Sequence, residues 1–462
     1  MSLRLAVGRG RGVWASVSSL SSCWWLSTGR ARGYSSVPLV DDAELDSEVD
    51  GGAFRDTFRA GDVVMRSAAA ARGNMEALLD RLRTENGGSL GFGVFYSDHM
   101  LTVSYDGSKG WSRPVIGGLE AVRMHPAAQV LHYGMSCFEG MKVYRDLSGT
   151  SSGVLFFRPE MNLARFVNSA RRLHLPSSFC TSELFDLLKV LVRKDAGWVP
   201  ARRGEALYLR PVLYSSTGML GVSPPEAATL NVIMSPSGDY FGAKGGLDGV
   251  EKDVGRGIRL FVEEGYRRAW VGGAGDVKVG GNYAPTIYPQ WMARQSYGVD
   301  QVVYTREGEI EECGAMNIFF VFEGEGGRVE LATPTLGHGT ILPGVTRASI
   351  LEIARVWAER GAPLVVSERG IGVEEVVSMA RRGRLREVFA CGTASVIQPV
   401  NGLVRRVGEG VEDVVEVTPR DASFAKESLT RQLYDALVDI QHGLSDDPRF
   451  ADWTVSAESL NE

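Results

Sequence analysis

Short apolar runs of strand length alternate along this chain with longer stretches whose apolar residues recur at helical spacing. GFGVFYSDHMLTVSYDG from Gly91, GVLFFRP from Gly153 and EALYLRPVLYSS from Glu205 read as strands, and TLNVIMSP from Thr229 as another. Between the second and third, PEMNLARFVNSARRLHL places Met161, Leu163, Phe166, Val167, Ala170 and Leu173 on one helical face, and Ser182 to Lys194 predicts a second helix. The glycine-rich SGDYFGAKGGLDG then breaks the pattern. Beyond it lie two hairpin patterns, DQVVYTREGEIEE and NIFFVFEGEGGRVELATP. A helix should follow Gly344, its apolar face made by Ile350, Leu351, Ile353, Ala354, Val356 and Trp357. The predicted organisation is a leader (1–40), a loosely packed lead-in (41–85), a small α/β domain (86–240), a linker (241–254), a larger α/β domain (255–445) and a tail (446–462).

With 462 residues, 44% of them apolar and 23% charged, the composition is that of an ordinary globular chain. A net charge of -6 gives no reason to expect nucleic acid. No apolar run approaches the roughly 20 residues of a bilayer span, so no membrane role is expected. The five cysteines form no CxxC pair and suggest neither a disulfide framework nor a metal site. The first forty residues differ: Arg4, Arg9, Arg11, Arg30 and Arg32 are accompanied by nine serines, and no acid occurs before Asp41. That is the composition of an organellar transit peptide, and Arg32-Gly33-Tyr34-Ser35-Ser36 resembles a mitochondrial processing site. The mitochondrial matrix is the expected address, with a plastid as the alternative.

Candidate chemistry starts from VGGAGDVKVGGNYAPT (271–286), where Lys278 has five glycines within six residues. A fixed, partly deprotonated lysine amine is a nucleophile suited to Schiff-base chemistry, and glycines let backbone approach a flat ligand. An incidental lysine in a glycine-rich surface loop would read the same. Two later segments change the balance. EECGAMNIFF (311–320) carries a glutamate pair before a strand, and ILPGVTRASI (341–350) opens a helix behind a glycine, as phosphate sites do. Amine, carboxylate and phosphate cradle are the fixtures that pyridoxal phosphate needs.

Glu312-x-Gly314-x-x-Asn317-Ile318-Phe319, Leu331-x-Thr333 and Leu342-x-Gly344-Val345-x-Arg347 together match the signature of the class IV aminotransferases. LHYGMSCFEGMK, ALYLRPVL, RAWVGG, KVGGNYAPT and EVFACGTA further resemble the eukaryotic branched-chain amino-acid aminotransferases, over about Gly91 to Gly443. The resemblance implies a fold-type IV pyridoxal phosphate enzyme of mixed α/β class, with a smaller N-terminal domain and a larger C-terminal pseudo-barrel domain. It implies a homodimer that interconverts leucine, isoleucine and valine with their 2-oxo acids, using 2-oxoglutarate and glutamate as the other pair.

By the same resemblance, Lys278 is the Schiff-base lysine and Glu312 faces the pyridine nitrogen. Tyr283 bonds the cofactor's 3-oxygen, and Arg165 binds its phosphate. Arg268 belongs to the cofactor site, while the Val345 and Thr346 amides and the Thr393 hydroxyl serve the phosphate. Gly392-Thr393-Ala394 would hold the substrate α-carboxylate. Tyr133, Phe138, Tyr208 and Tyr240 would wall the side-chain pocket, although aromatic residues in strands are more often core. Arg210 would meet the distal carboxylate of glutamate. Glu311, pointing opposite to Glu312 in extended chain, is expected in solvent. Ser395-Val396-Ile397-Gln398 stands where many animal relatives carry a thiol pair, and Ala315 replaces a common threonine. Rival readings are a D-amino-acid aminotransferase, an aminodeoxychorismate lyase, or a silent paralogue that binds cofactor only.

Overall fold

The computed structural model describes residues 55–66, 73–149, 153–238, 240, 257–408, 411–417 and 425–458. The leader (1–40) and the linker (241–254) lie outside the described residues, as does the span up to 54.

Two sheets organise the described chain. The first runs Val64–Met65, Val115–Gly118, His99–Asp106, Ala227–Ser237, Ala206–Ser215, Met141–Arg145, Val154–Phe157 and Thr454–Ser456 in spatial order, with Gly110–Trp111 and Ser136–Phe138 paired at its side. All its pairings are antiparallel except that of Val64–Met65 with Val115–Gly118. The second sheet runs Glu309–Cys313, Gln301–Arg306, Ile258–Glu263, Val396–Val407, Leu385–Gly392, Asn317–Glu323, Val329–Pro334 and Leu364–Arg369, with Val411–Glu416 beside Val396–Val407. Val396–Val407 joins its two halves: the start pairs antiparallel with Leu385–Gly392, and from Val400 it pairs parallel with Ile258–Glu263.

The apolar periodicities place these elements. The helix Pro159–Arg172 begins on a proline, whose missing N–H costs nothing at a first turn, and buries Leu163, Phe166, Val167 and Ala170. Thr181–Lys194 buries Leu184, Leu187, Leu188 and Leu191 against the first sheet's core. Val345–Glu359 turns Ile350, Leu351, Ile353 and Ala354 into a second core, which Tyr144 and Phe157 of the first sheet share with Phe319 and Leu433. Gly91 to Asp98 does not form a strand; pairing starts at His99.

Three stretches differ from expectation or escape it. The lead-in is not loosely packed where it is described. Phe58 and Leu79 are fully buried, and Phe58 meets the Trp111 ring edge-on at 5.3 Å and stacks on Phe179 at 5.4 Å. Residues of the expected tail return to the first sheet: Thr454–Ser456 pairs with Val154–Phe157, and Phe450 and Trp453 are buried. The helix Ala284–Tyr297 turns its apolar face outward, with Ile287, Tyr288, Trp291 and Met292 exposed. Among the described residues no helix is long and apolar enough to cross a membrane.

Candidate active site

The segment after the linker carries Lys278 back onto the first sheet. The Phe138 amide donates to the Lys278 carbonyl at 3.0 Å, and the Lys278 amide donates to Ser169 Oγ on the helix Pro159–Arg172 at 2.9 Å. Lys278 is thus pinned by backbone on both sides. Its Nζ donates to the Tyr283 phenol at 3.0 Å and lies 4.8 Å from the centre of the Phe138 ring. Tyr283 stands at the N-terminus of Ala284–Tyr297, its ring 5.0 Å from that of Phe138.

These groups open on a cavity of about 310 Å³ between strands of the two sheets. Twelve of the fourteen expected site residues line it: Arg165, Lys278, Tyr283, Glu312, Val345, Thr346 and Thr393, with Phe138, Tyr208, Arg210, Tyr240 and Ala394. Arg268 and Tyr133 are absent from its wall.

Glu312 is buried and held from three directions. Arg268 Nη1 pairs with its Oε1 at 2.7 Å, the Leu342 amide donates to Oε1 at 2.8 Å, and Asn317 Nδ2 donates to Oε2 at 3.1 Å. Burial pushes the Glu312 carboxyl up to about 7, although Arg268, the Leu342 amide and Lys278 pull it back toward ionisation. Arg268 sits behind Glu312 and also donates to the carbonyls of Gly275 and Thr340, so it reaches the cavity through the carboxylate. Glu311 is not in solvent. It is buried on the other side of its strand, where Thr340 donates to it at 2.6 Å and Arg306 at 3.2 Å. The hydroxyl and the cation there compensate a carboxylate that alternation does turn away from the cavity.

Gly344 caps the helix Val345–Glu359, and Val345 and Thr346 of its first turn line the cavity beside Arg165 and Thr393. A helix start has unpaired N–H groups and a partial positive charge, which suits an anion. A Cβ at Gly344 would come within 2.1 Å of Asn317 Oδ1, so only glycine lets this cradle approach Asn317, whose amide in turn holds Glu312. Arg165 is buried, and Glu139 grips it with both oxygens, at 2.8 Å on Nε and 2.6 Å on Nη2, while Nη1 donates to the Pro343 carbonyl at 2.9 Å.

The opposite wall is aromatic. Phe92 meets Tyr208 edge-on at 4.8 Å and Tyr240 at 5.2 Å. Arg210 Nη2 donates to the Tyr208 hydroxyl at 2.9 Å, and its guanidinium lies 4.8 Å from the Phe138 ring centre. Gly140 is needed there, since a Cβ would fall 1.9 Å from the Tyr208 oxygen. Tyr133 is 40% exposed and donates to the Leu220 carbonyl instead, because the helix Gln129–Tyr133 holds it outside the pocket. Within this chain it is not part of the wall.

Sequence reasoning missed Phe92, Glu139 and Met316. Glu139, a carboxylate inside an apolar run, was a legible signal of a buried partner for a cation. Phe92, in a glycine-rich loop, carried none.

The arrangement fits pyridoxal 5'-phosphate: an amine hydrogen-bonded to a phenol, a buried carboxylate held on both oxygens, and a glycine-capped helix start that a Cβ would spoil. Comparison with known proteins agrees. The amino-transferase class IV family profile matches residues 136–403. The branched-chain-amino-acid aminotransferase of Dictyostelium discoideum is 38% identical over 364 residues, covering 79% of this chain and 89% of the relative. The mitochondrial enzyme of that name from Bos taurus is 42% identical, covering 68% of this chain and 75% of its own. The cytosolic one from Ovis aries is 36% identical, covering 87% and 94%. In fold, the Escherichia coli branched-chain amino acid aminotransferase superposes with a TM-score of 0.59 at 23% identity, covering 78% of this chain and all of that one. The Thermobaculum terrenum enzyme of the same name, solved in its PLP form, gives 0.58 at 19% identity, covering 79% and 99%. The chain has the fold-type IV architecture and belongs to the class IV aminotransferases.

Proposed function

We propose that this chain is a pyridoxal phosphate-dependent branched-chain amino-acid aminotransferase, exchanging the amino group between leucine, isoleucine or valine and 2-oxoglutarate. The observation that carries the reading is the composition of one cavity. A lysine amine and a buried carboxylate share it with an aromatic box that holds a single arginine, Arg210. An aliphatic side chain suits the box; a side chain ending in carboxylate needs the arginine.

When bound, the cofactor supplies an aldehyde that takes up the amino group and a ring that draws electrons from the substrate Cα. Lys278 Nζ would anchor it covalently, then, once displaced, remove the proton from Cα and return one in the reverse sense. Tyr283 steadies that amine through the 3.0 Å bond. Glu312 would hold a proton on the ring nitrogen, and Arg268 favours the charged form of Glu312 that the task needs. Arg165, the Val345 and Thr346 amides and Thr393 would bind the phosphate. Thr393 and Ala394 would hold the α-carboxylate, while Phe138, Tyr208 and Tyr240 exclude water from the side chain.

The purified protein should show a visible cofactor band that leucine bleaches and 4-methyl-2-oxopentanoate restores. A band that responds to a D-amino acid and not to leucine would overturn the reading.

Two finer points belong to the same proposal. Trp270, Val271, Ile287, Tyr288, Trp291 and Met292 are large apolar side chains left exposed, which a second copy of the chain would cover. Sedimentation should give twice the chain mass, and a monomer at micromolar concentration refutes the dimer. The arginine-rich leader directs the chain to the mitochondrial matrix; residues 1–40 fused to a reporter should carry it there, and plastid or cytosolic accumulation refutes that address.

A further inference from the structure

We propose that Lys142 is a positioning residue for the substrate α-carboxylate: its buried ammonium fixes the Thr393–Ser395 turn so that the turn's amides face the cavity. The inference rests on the aminotransferase reading above. Lys142 lies in Met141–Arg145 of the first sheet and is 2% exposed. Its Nζ reaches across to the second sheet and donates to the Ala394 carbonyl at 2.9 Å. Lysine is almost never buried to this degree, because removing an ammonium from water is costly. An ammonium kept at such a cost, directly behind the turn, also lends positive charge to the place where a carboxylate would lie.

The turn itself requires a holder. Leu385–Gly392 and Val396–Val407 are joined by Thr393, Ala394 and Ser395 alone, and Val396 takes up a left-handed φ of 58°. A β-branched residue in that region is strained, and such strain persists only where the surroundings dictate it. Ala394 and Ser395 line the main cavity, whereas Lys142 lines a small crevice behind it with Asn162, Val345, Thr346 and Thr393. The Ala394 carbonyl is therefore drawn to the crevice side. In a planar trans peptide the N–H opposes the C=O, so the Ser395 amide of the same peptide is turned the other way, toward the cavity. Lys142 orients an amide donor and places positive charge one peptide behind it.

The test compares holoenzyme with Lys142→Met and Lys142→Gln, the second keeping a neutral donor. Titration with 4-methylvaleric acid, which has leucine's skeleton and a carboxylate but no amine, reads carboxylate binding alone. 3-Methylbutylamine, read by its shift of the visible band, reports on the rest of the pocket. Lys142→Met should weaken the acid roughly 10-fold or more, raise KM for leucine and 2-oxoglutarate together, change kcat less and leave the amine unaffected. Lys142→Gln should fall between. Cofactor content and the thermal midpoint check that each variant is folded; if Lys142→Met does not fold, Lys142→Gln carries the comparison. Unchanged acid binding, equal losses for acid and amine, or failure of both variants to fold would each overturn the proposal and leave Lys142 a structural residue. A wild-type enzyme that binds no acid and aminates no 2-oxo acid would instead refute the aminotransferase reading.

Discussion

The two walls of the cavity are built differently. On the side of the second sheet the carboxylate is fixed: Glu312 has three donors on its two oxygens, and Gly344 lets the helix start touch Asn317. Arg165, reaching over from the first sheet's side, is likewise fixed in place by Glu139 and Pro343, which leave it N–H donors for an anion. On the aromatic wall Arg210 donates to one phenol, and its buried Nε has no hydrogen-bond partner. A wall whose groups are mutually satisfied can hold one ligand in one place, as reaction chemistry demands. A wall that leaves a donor unspent can meet either an aliphatic chain or a carboxylate, which dual specificity demands.

The most severe change is to remove the amine that stands between the two walls, beside Phe138 and Tyr283. Lys278→Ala would lose the anchor and the proton carrier at once, while Arg165, Val345 and Thr346 should still hold the phosphate. Cofactor should remain bound by absorbance after desalting, and turnover should fall by roughly four orders of magnitude or more. Near-normal transamination would show that another base does the work.

Glu312→Gln comes next. Glutamine cannot hold a proton on the ring nitrogen, so both half-reactions should slow about 100-fold or more in single-turnover traces. Slowing of only one would assign Glu312 another task. The cofactor-free protein offers a second reading of the same residue. Burial pushes its carboxyl up to about 7 in the folded chain from an ordinary 4.5, so between these values the folded chain should bind more protons and stability should fall as pH rises. The loss is absent below the lower value and complete above the higher, at most about 3 kcal/mol. Glu312→Gln lacks it, so its stability relative to wild type should climb from pH 4.5 to pH 8 in urea melts. The cost of leaving Arg268 without its carboxylate displaces that curve without tilting it. A flat difference would show that Arg268 keeps Glu312 ionised throughout.

The same contrast explains what the sequence made legible. The committed wall is built from short local runs, Glu312 to Asn317 and Leu342 to Arg347, so chemistry and spacing coincide along the chain. Strands and helices with clean periodicity, such as Val345–Glu359, were readable for the same reason. The aromatic wall is assembled from Phe92, Phe138, Tyr208 and Tyr240, which only sheet pairing and loop closure bring together. Aromatic residues in strands carry no mark of a pocket, so Phe92 was missed and Tyr133 placed in the wall. Glu311 was misplaced because alternation gives the face of a side chain and not the depth of its surroundings. Ala284–Tyr297 hid because its outward face is the apolar one, against the usual pattern.

The smallest expected effect is also the most selective, and it bears on the second wall alone. Arg210 is largely withdrawn from water among Phe138, Tyr208 and Tyr240, with its Nε unpartnered. A leucine side chain leaves that donor as it is. The distal carboxylate of glutamate or 2-oxoglutarate would engage it in a charged hydrogen bond worth about 1.5–3 kcal/mol. Arg210→Met keeps much of the volume and removes the charge. It should lower kcat/KM for glutamate and 2-oxoglutarate roughly 10- to 200-fold, at tenfold per about 1.4 kcal/mol, and alter leucine far less. Separate half-reactions with leucine and with glutamate give the ratio free of the partner substrate. A loss shared equally by both would mean that Arg210 serves only to orient Tyr208, through the 2.9 Å bond it donates, and that the cation for the distal carboxylate lies elsewhere. A loss confined to glutamate would mean that the unspent donor is what lets one pocket serve two kinds of side chain.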